Sequence, residues 1–354
     1  MPVPPPDQRT SKRLAELTTL GLGGPARQLL SVATEQELVD AIRALDAAGE
    51  PLLVLAGGSN VVIADAGFDG TVVHVRTHGI VHEGDSLVVA AGEPWDAVVA
   101  EAGVQRLAGI EALSGIPGST GATPIQNVGA YGQDVSQTIA SVRVLERATG
   151  EIEELPAEAC AFTYRHSAFK GRDDRIVLSV RFDLDGAADG LSRPVAYAEL
   201  ARTLGVDVGQ RAPLEEVRAA VLALRRGKGM VVDPADPDSV SAGSFFTNPI
   251  LSETEFAALQ ARAAADGAGE PPSWPEADGR VKTSAAWLIQ RAGFDRGHGD
   301  GRVGISAKHT LALVNRGGGT TAELVAFARE IAEGVHDAFG VALVPEPVFV
   351  GHRW

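Results

Sequence analysis

Short apolar runs broken by glycine and proline, with a few amphipathic stretches between them, set the pattern of this chain. Arg27-Gln-Leu-Leu-Ser-Val32 reads as a strand. Thr34 and Glu37 then form a capping box, and Leu38, Ile42 and Leu45 fall on one helical face. Pro51-Leu-Leu-Val-Leu-Ala56 is apolar throughout and predicts a buried strand, which stops at Gly57-Gly-Ser-Asn60. Residues 71–75 and 86–91 are β-rich, and 95–102 look helical. Residues 139–145 and 176–184 are strand-like and bracket Tyr164-Arg-His-Ser-Ala-Phe-Lys170. A helix opened by Pro213 carries Val217, Ala220, Val221 and Leu224 on one face. Past it, residues 227–241 are rich in Pro, Gly and Asp and predict a crossing into another domain. The remainder gives a helix capped by Ser252 and Glu255, a short helix over 284–292 and a strand over 310–314. A helix from Thr320 and Glu323 to 339 follows, then an apolar strand over 341–351 with Glu346 set between two prolines.

One stretch fits neither period. Gly115-Ile-Pro-Gly-Ser-Thr-Gly-Ala-Thr-Pro-Ile-Gln-Asn-Val-Gly-Ala-Tyr-Gly132 packs five glycines and two prolines among small and amide residues. No helix or paired strand runs through such a sequence without losing stability, so it predicts a shaped loop. Glycine leaves backbone N–H groups uncovered, the arrangement that cradles a pyrophosphate, and Ser119, Thr120, Gln126 and Asn127 add side-chain donors. The alternative is an ordinary glycine-rich connection, although connections of this length are uncommon and tend to be functional. No Lys-Ser or Lys-Thr pair follows the glycines, which disfavours a nucleoside triphosphate held with magnesium. The strand ending in Gly57-Gly-Ser-Asn60 is a second candidate phosphate contact. Gly21, Gly23 and Ala26 have dinucleotide-fingerprint spacing, but Pro25 leads into a strand where that fingerprint must open a helix.

Composition narrows the partners. The chain has 354 residues, enough for two or three domains, and a formal net charge of −15, which disfavours nucleic acid and anionic membranes. An anionic small molecule remains compatible if arginines and lysines gather locally. No apolar run approaches the roughly 20 residues of a membrane span, and the proline-rich start has no signal-peptide core, so a cytoplasmic location is the default. Cys160 is the single cysteine, which excludes an internal disulfide, and the eight histidines lack metal-site spacing, so no metal is expected.

Three residues stand out as candidate chemistry. Glu346 has apolar neighbours Leu343, Val344, Val348 and Phe349, so burial would raise its pKa and make it a proton carrier. Ser244 lies between Gly243 and the pair Phe245-Phe246, a tight setting for a hydroxyl. Arg165 has the fork to hold a carboxylate. Each also has a plain structural reading, as a strand-edge charge, a turn hydroxyl and a surface ion pair. Together they suit a reaction that builds negative charge beside a carboxylate. No Gly-x-Ser-x-Gly elbow supports a serine hydrolase.

Five blocks, in order, resemble the UDP-N-acetylenolpyruvoylglucosamine reductase family, the flavoenzymes that complete UDP-N-acetylmuramate for bacterial peptidoglycan. They are Leu55-Ala-Gly-Gly-Ser-Asn-Val61, the central loop 115–132, Tyr164 to Lys170, Ala242-Gly-Ser-Phe-Phe-Thr-Asn-Pro249 and Pro345-Glu346. The resemblance spans residues 17–351 and is to the longer family type, whose tyrosine loop closes over the substrate. It implies a mixed α/β and α+β chain: a two-part FAD-binding unit of the vanillyl-alcohol-oxidase (PCMH) type and a C-terminal α+β substrate-binding domain. The boundaries then fall at a lead-in over 1–14, an FAD unit over 15–226 in subdomains 15–75 and 76–226, a substrate domain over 227–340, and a strand carrying Glu346 over 341–354. It implies FAD as cofactor, NADPH as co-substrate, a UDP-sugar substrate, and a monomer without nucleic-acid or membrane partners.

Carried over residue by residue, Gly57, Gly58, Ser59, Asn60, Val61, Pro117, Gly118, Ser119, Gly121, Ala122, Gln126, Asn127 and Gly129 hold the FAD. Arg165, Ser244 and Glu346 match the catalytic positions, and Tyr197, Lys228, Asn248 and His309 the substrate contacts. His309 stands where some members have glutamine, Thr247 where lysine is common, and Pro347 where many have valine. Two rivals follow from the same residues: another FAD oxidoreductase acting on an alcohol or hydroxy acid, and a sugar-nucleotide binding module without catalysis.

Overall fold

The computed structural model describes residues 13–354, so the expected lead-in at 1–14 lies, up to residue 12, outside the described residues. The chain forms two compact units. The first is built from Pro25–Gly58 and Phe68–Gly227, the second from Leu14–Gly24, Ser59–Gly67 and Lys228–Trp354.

In the first unit the strand Ala26–Val32 pairs in parallel with Phe68–Val75, which pairs in parallel with Leu52–Leu55 on its other side. The helix Glu35–Ala47 connects the outer two strands. Its capping box is complete, with Thr34 and Glu37 each serving the other's backbone N–H, and Leu38, Val39 and Ile42 are buried beneath it. The apolar run 51–56 predicts a fully buried strand. Leu52–Leu55 lies at the sheet's edge instead, and of its residues Leu55 alone is buried. An antiparallel sheet follows, in the order Ile152–Pro156, Ile139–Glu146, Arg175–Asp183, Ser86–Ala90, Ile80–Glu83. Against it packs the helix Trp95–Val104, whose Trp95 ring lies 5.5 Å from that of Phe182 in a shared core. Cys160 is buried in this core, and burial pushes its thiol up to about 11, leaving it protonated and unreactive. Two helices close the unit, Ala198–Leu204 and Leu214–Gly227, over a small cluster that includes Val195, Leu200, Ala212, Val217 and Val221.

The second unit joins the strands Ser241–Ser244, Ala312–Asn315 and Val303–Ile305 to the helices Glu253–Ala265, Ala285–Arg291 and Thr321–Phe339. The capping boxes of Ser252 with Glu255 and Thr320 with Glu323 are both complete. Leu14–Gly24, which but for Leu14 is expected within a continuous 15–226 unit, and Ser59–Gly67, expected within it too, belong here for visible reasons. Asn315 donates from Nδ2 to the carbonyl of Leu20 at 3.1 Å. Asp65 accepts the N–H groups of Thr321 and Ala322 at 2.8 and 2.9 Å, satisfying donors that the start of that helix leaves open. Val61–Ile63 pairs in parallel with Val348–Val350. The expected C-terminal strand is thereby shortened and does not contain Glu346. Prolines on either side of Glu346 have no N–H to give a ladder, so pairing begins only at Val348.

Candidate active site

Within the first unit, the loop 115–132 contains no helix beyond the single 3₁₀ turn Thr120–Ala122 and ends in a two-residue strand, Gly129–Ala130. Its shape is held by backbone. Trp95 N–H donates to the carbonyl of Gly118 at 3.0 Å, Thr120 N–H to Glu93 at 2.8 Å and Gly121 N–H to Ala91 at 2.8 Å. Close approach decides why glycine is needed at residue 57. A Cβ there would stand 2.6 Å from Gly118 Cα and 2.9 Å from Gly118 C, nearer than real Cβ atoms come. The two glycine turns, which read in the sequence as separate phosphate contacts, therefore pack backbone against backbone, and Gly118, at φ +115°, follows a path that L side chains rarely adopt. Such a bare backbone surface suits the pyrophosphate of FAD.

Two side chains expected as ligand donors are committed elsewhere. Asn127, buried and at φ +48°, donates from Nδ2 to the Thr163 carbonyl at 3.1 Å and accepts from Ser136 N–H at 3.1 Å. Thr120 Oγ1 donates to the Glu93 carbonyl at 3.0 Å. A buried amide or hydroxyl must be satisfied where it sits, so both hold the loop's form.

Arg165 lies on this loop. Its Nη2 donates to the Gly129 carbonyl at 2.6 Å, its carbon Cζ stands 5.5 Å from the centre of the Tyr164 ring, and Ser167 Oγ donates to Ile125 at 2.6 Å. The block 164–170 is thus the loop's backing. Arg225 lies in the same region with its Nε buried. Burial pushes its guanidinium down to about 10, against the pull of Tyr131 and Asp96, and Arg165 pushes the same way as burial. An acidic chain has gathered cations here.

Nothing in the sequence marks the loop's entry point. Asp96 accepts the Gly115 N–H at 2.6 Å and is gripped by Arg218 through two bonds of 2.7 and 2.9 Å. Arg218 comes from a helix 122 residues further on, so no local pattern reveals the pair. Burial alone would raise the Asp96 carboxyl, but Arg218 and the Gly115 N–H outweigh it and hold it below the ordinary value. A lowered carboxylate stabilises the fold above its unfolded pKa, and that contribution is lost as pH falls through the folded value. Melting curves of Asp96→Asn should therefore lie below wild type from neutral pH down to about pH 4 and converge with it in stronger acid. A gap that stays constant down to about pH 3 would show that the ion pair does not anchor the loop.

In the second unit, Ser244 ends the strand Ser241–Ser244, half-buried, with Phe245 and Phe246 fully buried behind it and their rings 5.2 Å apart. The C-terminal segment docks on this block. Phe246 bridges to Pro345, Glu346 N–H donates to the Phe245 carbonyl at 2.8 Å, and Thr247 N–H donates to Val344 at 3.0 Å. Val348 N–H donates to the Asn60 carbonyl at 2.9 Å, so the segment Ser59–Gly67 is tied beside Glu346. Ser244 and Glu346, 102 positions apart in the sequence, stand on adjacent backbone. Glu346 is half-buried. Asn248 accepts the Ala285 N–H on its amide oxygen at 3.0 Å, which leaves its NH₂ as the donor end. Lys228 begins the longest segment of this unit, His309 lies on the turn before the strand Ala312–Asn315, and Tyr197, in the first unit, is 47% exposed.

Comparison with known proteins decides the family. Residues 26–156 match the profile of an FAD binding domain, and residues 234–350 match the C-terminal domain of UDP-N-acetylenolpyruvoylglucosamine reductase. The reductase of that name from Streptomyces coelicolor is 58% identical over 96% of this chain and 89% of its own, and that of Thermobifida fusca is 58% identical over 96% of both. The chain belongs to the UDP-N-acetylenolpyruvoylglucosamine reductase family. The crystal structure of the Thermus caldophilus reductase superposes with a TM-score of 0.66 at 25% identity, covering 97% of this chain and 98% of that one. The fold is accordingly a PCMH-type FAD unit with a C-terminal domain of this reductase family. The chain is an FAD-dependent oxidoreductase of peptidoglycan precursor synthesis. Among the described residues, no helix is long and apolar enough to cross a membrane.

Proposed function

We propose that this chain reduces the enolpyruvyl ether of UDP-N-acetylglucosamine to UDP-N-acetylmuramate with NADPH, as a cytoplasmic monomer, through Arg165, Ser244 and Glu346. The observation that supports the assignment of roles is the docking of Pro345-Glu346 on Phe245-Phe246, which brings the backbone of Glu346 against the block that carries Ser244. Gly57, Gly58, Ser59, Asn60 and Val61, with Pro117, Gly118, Ser119, Gly121, Ala122, Gln126, Asn127 and Gly129, form the FAD cradle, in which the Asn127 side chain holds the loop's shape. When bound, FAD supplies the two-electron relay between NADPH and the terminal vinyl carbon of the substrate. As that carbon gains hydride, the C=C electron pair moves onto the carbon bearing the carboxylate and into the carboxylate oxygens. Arg165 and a protonated Glu346 stabilise this enolate, and hydrogen bonds to such charge are strong where water is scarce. Ser244 Oγ–H then gives its proton to the same carbon and regains one from solvent. A serine is a weak acid, but the enolate is a strong enough base for the match to work. Tyr197 closes over the sugar nucleotide, while Lys228, the NH₂ of Asn248 and His309 hold its diphosphate side.

The assay is direct. The purified protein should be yellow, and it should oxidise NADPH only when the enolpyruvyl UDP-sugar is present. Flavin reduction by an alcohol or hydroxy acid without NADPH would contradict the reading and favour an oxidase of the same cofactor fold.

A further inference from the structure

The segment that carries Tyr197 is held to the first unit at two places. Its base is a short ladder: Ser192 N–H donates to the Ala212 carbonyl at 2.8 Å, Val195 N–H to Gln210 at 2.8 Å and Gly209 N–H to Val195 at 2.9 Å. The carboxylate of Glu111, 5% exposed, fixes that base by accepting the N–H groups of Gly109 at 2.5 Å and Arg193 at 2.8 Å. The second place is the end of the FAD loop. The Tyr131 ring meets the Tyr197 ring edge to face, with centroids 5.6 Å apart and planes at 86°. Gly132, at φ +86°, passes so close that a Cβ there would stand 2.9 Å from Ala196 Cβ and 3.6 Å from Tyr197 N. Tyr131 itself adopts φ +50°, a conformation that residues other than glycine rarely take and that persists only where the surroundings enforce it. Those surroundings are the cluster beneath the helices Ala198–Leu204 and Leu214–Gly227, against which Tyr131 packs.

We propose that Tyr131 and Gly132 form the seat of the Tyr197 segment, so that Tyr131 is a positioning residue that sets the affinity for the UDP-sugar through Tyr197. This rests on Tyr197 closing over the substrate, the role given to it in the proposed function. The seat is the last piece of the loop that holds FAD, so the loop that binds the cofactor also places the substrate's cover. An edge-to-face aromatic pair contributes enough that its loss should weaken substrate binding about three- to tenfold.

Steady-state and anaerobic half-reaction kinetics of Tyr131→Ala, Tyr131→Phe, Tyr197→Ala and the double alanine variant test it. Tyr131→Ala and Tyr197→Ala should each raise KM for the enolpyruvyl UDP-sugar by that factor, the double variant no further than Tyr197→Ala alone, and flavin reduction by NADPH should not change. Tyr131→Phe, which keeps the ring edge, should stay within about twofold of wild type. Hydrogen exchange of the protein without substrate supplies a readout independent of turnover: Tyr131→Ala should speed amide exchange over 194–205 and leave 115–129 as protected as before. If Tyr131→Ala loses its flavin, Ala196→Val tests the seat from the other side, because branching at that Cβ presses on Gly132, and it should raise KM to the same extent. Additive effects in the double variant, equal slowing of both half-reactions, or normal KM in both Tyr131→Ala and Ala196→Val would overturn the seat. Normal KM in Tyr197→Ala would instead overturn the role of Tyr197 on which it rests.

Discussion

Replacing Ser244 by alanine should leave reduction of the flavin by NADPH near its normal rate and slow its reoxidation by the enolpyruvyl substrate about 10²- to 10⁴-fold, the range that a positioned proton donor supplies. The change removes one oxygen from a half-buried position at a strand end, and the neighbours that fix the backbone are untouched. Phe245 N–H still donates to Leu311 at 2.7 Å, and the Phe245 carbonyl still accepts from Glu346. A fold defect is therefore not the expected outcome, and the two half-reactions should part company. Stopped-flow traces under anaerobic conditions read both. Equal slowing of the two would mean that Ser244 shapes the site without handling the proton.

The second large effect is expected at Gly57. In Gly57→Ala the new Cβ would meet Gly118 Cα at 2.6 Å and Gly118 C at 2.9 Å, atoms of backbone that cannot swing aside like the end of a side chain. One of the two turns must shift, and its N–H groups shift with it. Losing one N–H bond to a charged phosphate, at about 1.5–3 kcal/mol, lowers FAD affinity about 10- to 100-fold. The variant should purify pale, with its melting temperature restored toward wild type by added FAD. Gly103→Ala is the control. That glycine lies in the helix Trp95–Val104 with nothing within 4 Å of where an added methyl would stand, so alanine should leave flavin content unchanged. It should also raise stability by about 0.5–1 kcal/mol, the usual gain from replacing a helical glycine. A fully yellow Gly57→Ala protein would mean that the contact between the two turns does not shape the FAD cradle.

What is legible in the sequence is local. Capping boxes at Thr34, Ser252 and Thr320 declare helix starts within four residues, and each is complete in the structure. The glycine pattern of 115–132 forbids regular structure on steric grounds alone. Gly21, Gly23 and Ala26 form no fingerprint, because Ala26 begins a strand. Pairings between distant segments are not legible. Val61–Ile63 is three residues long, and nothing near it announces a partner at Val348–Val350. Its attachment, with the Asp65 cap on a helix that starts at Thr321, moves Ser59–Gly67 out of the unit that its neighbours in sequence build. The apolar flanks of Glu346 suggest a strand, whereas the missing N–H groups of Pro345 and Pro347 decide otherwise. Asp96 with Arg218, and Tyr131 with Tyr197, likewise need three dimensions, since neither spacing belongs to a motif.

In the proposed mechanism one guanidinium, one hydroxyl and one carboxyl act on the same enolpyruvyl group beside FAD. A crystal structure of the protein with FAD and the enolpyruvyl UDP-sugar tests it most directly. Arg165 and Glu346 should lie on the substrate carboxylate and Ser244 Oγ within about 4 Å of the carbon that bears it, near the reach that proton transfer requires. Density placing that carbon far from Ser244, with the carboxylate held by other groups, would contradict it.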